Sequence, residues 1–157
     1  MKLDRKSYPW LQISVASYLL ACCIPTLELT TTSPENLIPV THAKMWGFQL
    51  LLRGFMGVFM GTIGWFANPL WVIALLLVFF KRVKAALAVS LLSVAIALSS
   101  ITVIGKDLAV WESDPYHQRV SALLLGFYVW IVSLALVPVA CWLKMKGSRQ
   151  ETALKSD

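Results

Sequence analysis

The side chains best suited to chemistry in this chain are two histidines, His42 and His117, with Glu112 and Asp114 shortly before the second. Such a group invites comparison with a metal site. Zinc ligands, however, come in close sets such as His-x-x-x-His or Cys-x-x-Cys, and neither spacing occurs here. The cysteines offer no alternative: Cys22 and Cys23 are adjacent, and Cys141 lies far along the chain. No glycine-rich phosphate loop or Gly-x-Ser-x-Gly elbow is present. The expectation is no catalytic residue, no metal and no cofactor.

The elements that would position these groups explain why. Of the 157 residues, 58% are hydrophobic and 14% charged. Soluble domains hold about 25% charged residues, so the composition excludes a disordered tail, a disulfide-stapled miniprotein and a soluble enzyme domain. It points to an all-α, polytopic membrane protein forming a single membrane domain over 1–157.

A spanning helix needs about 20 apolar residues. Windows at about 9–27, 85–104 and 120–143 meet this length between flanking charges. The apolar stretch 45–80 is too long for one span and too short for two, with Asn68-Pro69 as its only breaker. Asn is a good N-cap and Pro suits a first helical turn. This dipeptide therefore predicts the start of a span over about 66–81, preceded by an interfacial or tilted helix over about 46–64 in an outer segment, 28–65. The expectation is a bundle of four transmembrane helices and a cytoplasmic tail, 144–157.

The charges orient these spans. Lys2, Arg5, Lys6, Lys81, Arg82, Lys84, Lys144, Lys146, Arg149 and Lys155 share one side, ten of the fourteen basic residues. Only Lys44, Arg53, Lys106 and Arg119 fall on the other. By the positive-inside rule both termini are cytoplasmic. The formal net charge of +6 thus belongs to orientation and to anionic membrane lipid, not to nucleic acid. The run Leu19-Leu20-Ala21-Cys22 resembles a lipoprotein signal, but the apolar stretch continues past Cys22 to Leu27. An uncleaved first span is expected.

Within the spans, Ala86, Ser90, Ser93, Ala97 and Ser100 form a seam of small residues, read as helix packing inside the bundle. The helix before span two carries Gln49, Arg53, Gly57 and Gly61 on one face. Gly57 and Gly61 form a small-residue contact motif, and Arg53 is expected to reach phosphate or a loop acid such as Glu112. Trp46, Trp65, Trp71 and Trp111 form an outer aromatic belt in this topology, with Trp142 near the inner interface. Gly126, Tyr128, Trp130 and Ser133 occupy span four, where Tyr128 and Trp130 need hydrogen-bond partners and the span-three serines are expected to supply them. Pro138 is expected to bend its inner end.

Gly64-Trp65-Phe66-Ala67-Asn68-Pro69-Leu70-Trp71 and Gly126-Phe127-Tyr128-Val129-Trp130-Ile131-Val132-Ser133 resemble a loose group of uncharacterised bacterial four-span inner-membrane proteins. In that group Trp-x-x-Asn-Pro-Leu opens span two and Gly-x-x-x-Trp lies in span four. The resemblance implies the topology and a bacterial inner-membrane setting, and it brings no activity. The leading expectation is a non-enzymatic accessory or interaction protein whose partner is another membrane protein or a second copy. The alternatives are a small oligomeric channel or carrier using the span-three seam, and a toxin-immunity protein.

Overall fold

The computed structural model describes residues 8–32, 39–55, 63–105 and 117–154. Helix α1 (Tyr8–Cys23) leads through Ile24 into strand β1 (Pro25–Thr32). Strand β2 (Pro39–Trp46) runs directly into the short helix α2 (Gly47–Arg53). A 3-10 turn at Gly64–Phe66 opens α3 (Ala67–Phe79), and α4 (Val83–Ser99) ends in a 3-10 turn, Ser100–Val103. Strand β3 (His117–Leu123) then precedes the long helix α5 (Leu125–Leu154).

The chain is mostly helical, consistent with the all-α expectation, and the segments between the helices add a three-stranded antiparallel sheet in the order β2-β1-β3. This corrects several boundaries. Pro25 to Leu27, expected at the end of the first span, belong to β1, and Val120 to Leu123, expected at the start of the fourth, belong to β3. The helix expected over 46–64 is α2, which stops at Arg53, and Trp46 is the last residue of β2. Residues 56–62 lie outside the described set. The segment from 144 onward continues α5 as far as Leu154.

The strands follow from side-chain alternation. Leu27 and Leu29 lie two apart, so they share one face of β1, and both are buried with Val120 of β3. Met45, Leu50 and Val103 pack beneath them, so α2 and the 3-10 end of α4 floor the sheet. Glu28 and Thr30 alternate with the two leucines and are half-buried, while His42 and Lys44 across from them are exposed. Bulges next to Thr26 and at Ser121 adjust the register, as is common near the ends of strands that must bend.

The sheet is tied to the helix ends by backbone hydrogen bonds. The amide of Gly47 donates to the Ile24 carbonyl at 3.2 Å, that of Leu124 to Thr26 at 2.9 Å, and that of Gly105 to Val120 at 2.9 Å. Below it, α1 packs along α5, α5 along α4, and α4 along α3. The remaining seam, α1 to α3, is bridged by large rings: Tyr18 stacks on Trp71 with centroids 4.3 Å apart and planes 9° from parallel.

The interior of this bundle is built largely from small residues. Ala67, Ala74, Ala86, Ala97, Ser14, Ser90, Ser93 and Ser133 are all buried, which lets helix backbones approach closely. Two helical segments, Val83–Val103 and Leu125–Ser148, are long and apolar enough to cross a membrane. Pro9–Cys23 and Gly64–Phe79 are apolar but shorter.

Candidate functional site

The densest polar feature among the described residues is a set of side chains joining α1, α3 and α5. Asn68 stands in the first turn of α3, and its Oδ1 accepts from the Tyr18 hydroxyl and from Trp130 Nε1, each at 2.9 Å. Indole N–H only donates, so the acceptor facing Trp130 must be the amide oxygen. The Nδ2 donors of Asn68 therefore point elsewhere, and they meet no partner among the described residues. One turn further along α3, Trp71 Nε1 donates to Ser14 Oγ at 3.1 Å, and Ser14 donates to the Ser133 carbonyl at 2.6 Å. Ser133 in turn donates to the Trp130 carbonyl at 2.6 Å.

This connectivity explains the residue types. Tyr and Trp place an apolar ring in the core while their polar edge finds an acceptor. A short serine hydroxyl fits where helices touch and satisfies its donor on a carbonyl. Each such bond contributes modestly, about 0.6 kcal/mol on average between membrane helices. Together they fix the relative rotation of three helices, because each donor has one acceptor at the right height. No described side chain in the set pairs a nucleophile with a base.

The expected site residues divide accordingly. Asn68, Trp130 and Ser133 enter this network. Asn68 is not an N-cap: the 3-10 turn precedes it, Phe66 holds the cap position, and Asn68 and Pro69 lie within the first turn. That turn still tolerates Pro69, since its amides lack intrahelical acceptors. Trp71 does not join an outer belt; at 6% exposed it is a core residue. Trp130 bonds to Asn68 of α3 instead of to a serine of α4, and Tyr128 is 56% exposed on the outside of the bundle. The network includes Ser14 and Tyr18, which sequence reasoning missed. Their signal was present as Ser14, Tyr18 and Ala21 at helical spacing, a small and polar face on an otherwise apolar helix.

The α4 seam faces inward. Ser93 Oγ donates across to the Ala67 carbonyl of α3 at 2.8 Å, and Ser90 Oγ donates back to Leu87 at 2.9 Å. Both serines are 1% exposed. Gly126 is buried where α5 passes the start of β1; a Cβ there would lie 2.7 Å from the Pro25 carbonyl oxygen. Gly47 and Gly64 make still closer approaches, to the Ala21 backbone and to the Ser100 side chain.

Arg53 is exposed at the end of α2, and its expected partner Glu112 lies outside the described residues. Gly57, Gly61 and Trp111 also lie outside them, as does Asp114. Gln49 and Arg53 lie one turn apart in α2, and Gln49 Oε1 accepts from the Trp46 amide at 3.1 Å and holds the start of the helix. His42 Nδ1 lies 3.6 Å from Glu28 Oε1 on the sheet. No group of three or more potential metal ligands occurs among the described residues.

No protein-family model, curated protein or solved structure matches this chain.

Proposed function

We propose that this chain is a non-enzymatic integral membrane protein of four spans in the bacterial inner membrane, with both termini cytoplasmic, acting as an accessory or interaction protein. The observation that carries the reading is the inverted dressing of the bundle. Alanines and serines are prominent inside it, beside Tyr18, Trp71, Leu134 and Val137, while large apolar side chains face outward from all four helices. Leu19 is 61% exposed on α1, Leu76 51% on α3, Leu92 52% on α4 and Val132 54% on α5. A soluble monomer rarely exposes contiguous apolar patches beyond a few hundred Å², so this surface calls for lipid or protein around it.

Other features support the details. Tyr18 and Ser14 make α1 an integral part of the core, which favours a retained first span. The basic residues Lys81, Arg82, Lys84, Lys144 and Lys146 lie at the bundle end opposite the sheet, as the positive-inside rule requires of a cytoplasmic face. The α4 serines are sealed between helices, which favours an interaction role over a solute path along that seam. The sheet offers a polar outer face with Glu28, His42 and Lys44 to a partner outside.

Two measurements test this. Alkaline carbonate extraction should leave the protein in the membrane pellet, and release into the supernatant would sink the membrane reading. Crosslinking in native membranes, with recovery through a tag after Asp157, should yield a defined protein partner or a homo-oligomer. Solute flux through liposomes holding the purified chain alone would instead establish the channel.

A further inference from the structure

The turn between α3 and α4 carries a residue its geometry does not favour. The Lys81 amide donates to Val78 at 3.0 Å and the Arg82 amide to Leu77 at 2.8 Å. This is the Schellman pattern of helix termination, whose left-handed residue is usually glycine. Here that residue is Lys81, at φ 60°, the one non-glycine with positive φ among the described residues. A side chain at this position costs about 1 kcal/mol or more relative to glycine. Strain of this kind is a pointer to function when its surroundings agree.

The surroundings agree. Phe79 and Phe80 just before the turn are 60% and 65% exposed, with ring centroids 5.6 Å apart in an edge-to-face pair. Arg82 and Lys84 just after it are exposed. At the same end of the bundle, Trp142 is 54% exposed and the Lys146 ammonium lies 5.5 Å from its ring centroid. Exposed cations flanked by exposed aromatic rings match the depth profile of a phospholipid leaflet: rings at the acyl boundary and bases at the phosphates.

We propose that the α3–α4 turn is a binding site for the headgroups of anionic phospholipids, with Lys81 held outward by its left-handed backbone and assisted by Arg82 and Lys84. The proposal rests on the membrane reading. Each base beside an anionic surface is expected to contribute a roughly fivefold gain in affinity, so three together give about a hundredfold.

The test uses the full chain in nanodiscs of phosphatidylcholine alone or with phosphatidylglycerol, with lipids retained on extraction counted by native mass spectrometry. Wild type should retain phosphatidylglycerol in preference to phosphatidylcholine. Removing all three bases (Lys81→Gln, Arg82→Gln, Lys84→Gln) should abolish the preference, whereas Lys44→Gln at the sheet should leave it intact. The informative variant is Lys81→Gly. It should raise the melting temperature in phosphatidylcholine, by relieving the backbone, and yet lower phosphatidylglycerol retention. A merely structural role for Lys81 would leave retention unchanged, and that result overturns the proposal. So does equal retention of the two lipids by wild type, or equal stabilisation by soluble glycerol phosphate. A chain that fails to enter nanodiscs at all would count against the membrane reading itself.

Discussion

The bundle and the sheet obey opposite rules. In the sheet, Leu27, Leu29 and Val120 are hidden while Glu28, His42 and Lys44 lie on the other face, the arrangement of an antiparallel sheet with one wet side. In the bundle, Ser14, Ser93 and Ser133 are hidden while Leu19, Leu92 and Val132 face outward. A single solvent does not favour both patterns. Under the proposed membrane reading, one molecule is fitted to two surroundings, with the boundary between them where the helices become strands.

That boundary is where the comparison breaks most completely. Gly126→Leu would drive a side chain against the Pro25 carbonyl, which is held by the start of β1. Overpacking costs about 1–3 kcal/mol and more where backbone is struck. Size-exclusion chromatography in detergent should find no monodisperse protein. The next largest effect sharpens the contrast itself. Leu92→Asp, on the outside of α4, should impair membrane insertion by about 3 kcal/mol, read by protease protection. Lys44→Asp on the exposed sheet should change stability by less than about 0.5 kcal/mol. Equal tolerance at both positions would remove the distinction between the two regions.

A smaller effect is expected inside the bundle. Asn68→Leu leaves the Tyr18 hydroxyl and the Trp130 indole without their acceptor, costing about 1–3 kcal/mol. Asn68→Asp keeps an acceptor and should lose less, so the order of the two melting temperatures checks the assigned role. A small change is also expected for His42→Gln. The His42–Glu28 contact joins an exposed to a half-buried side chain and is 3.6 Å long, so its loss should shift stability by less than about 1 kcal/mol.

The two regions were also unequally legible. The helices announce themselves through apolar runs bounded by Lys81, Lys84 and Lys144, and the small-residue period on α4 marks the face that the structure turns inward. The strands are hidden by their own ends. Leu27 and Val120 to Leu123 extend the apolar runs of neighbouring helices, so a hydropathy reading absorbs them. The clue lay in the alternation and β-branched content of Pro25–Thr32, Pro-Thr-Leu-Glu-Leu-Thr-Thr-Thr. Asn68 was singled out for a local reason, capping, whereas its partners Tyr18 and Trp130 lie 50 and 62 residues away. Local spacing carries no information about such pairings. Trp71 was misplaced because tryptophan type alone suggests an interface, and only the neighbouring Tyr18 ring shows why it is buried.

The central position of β1 also sets an order of assembly. Its partner β2 follows within a few residues, but β3 arrives late: Ser121 reaches the Glu28 carbonyl from 93 residues further on. At typical synthesis rates this separation corresponds to on the order of ten seconds. During that interval the first hairpin stands with an open edge, able to accept any passing strand. The last helix therefore does more than complete the bundle. By bringing β3 with it, its arrival closes the interval in which this chain is most easily diverted from its own fold.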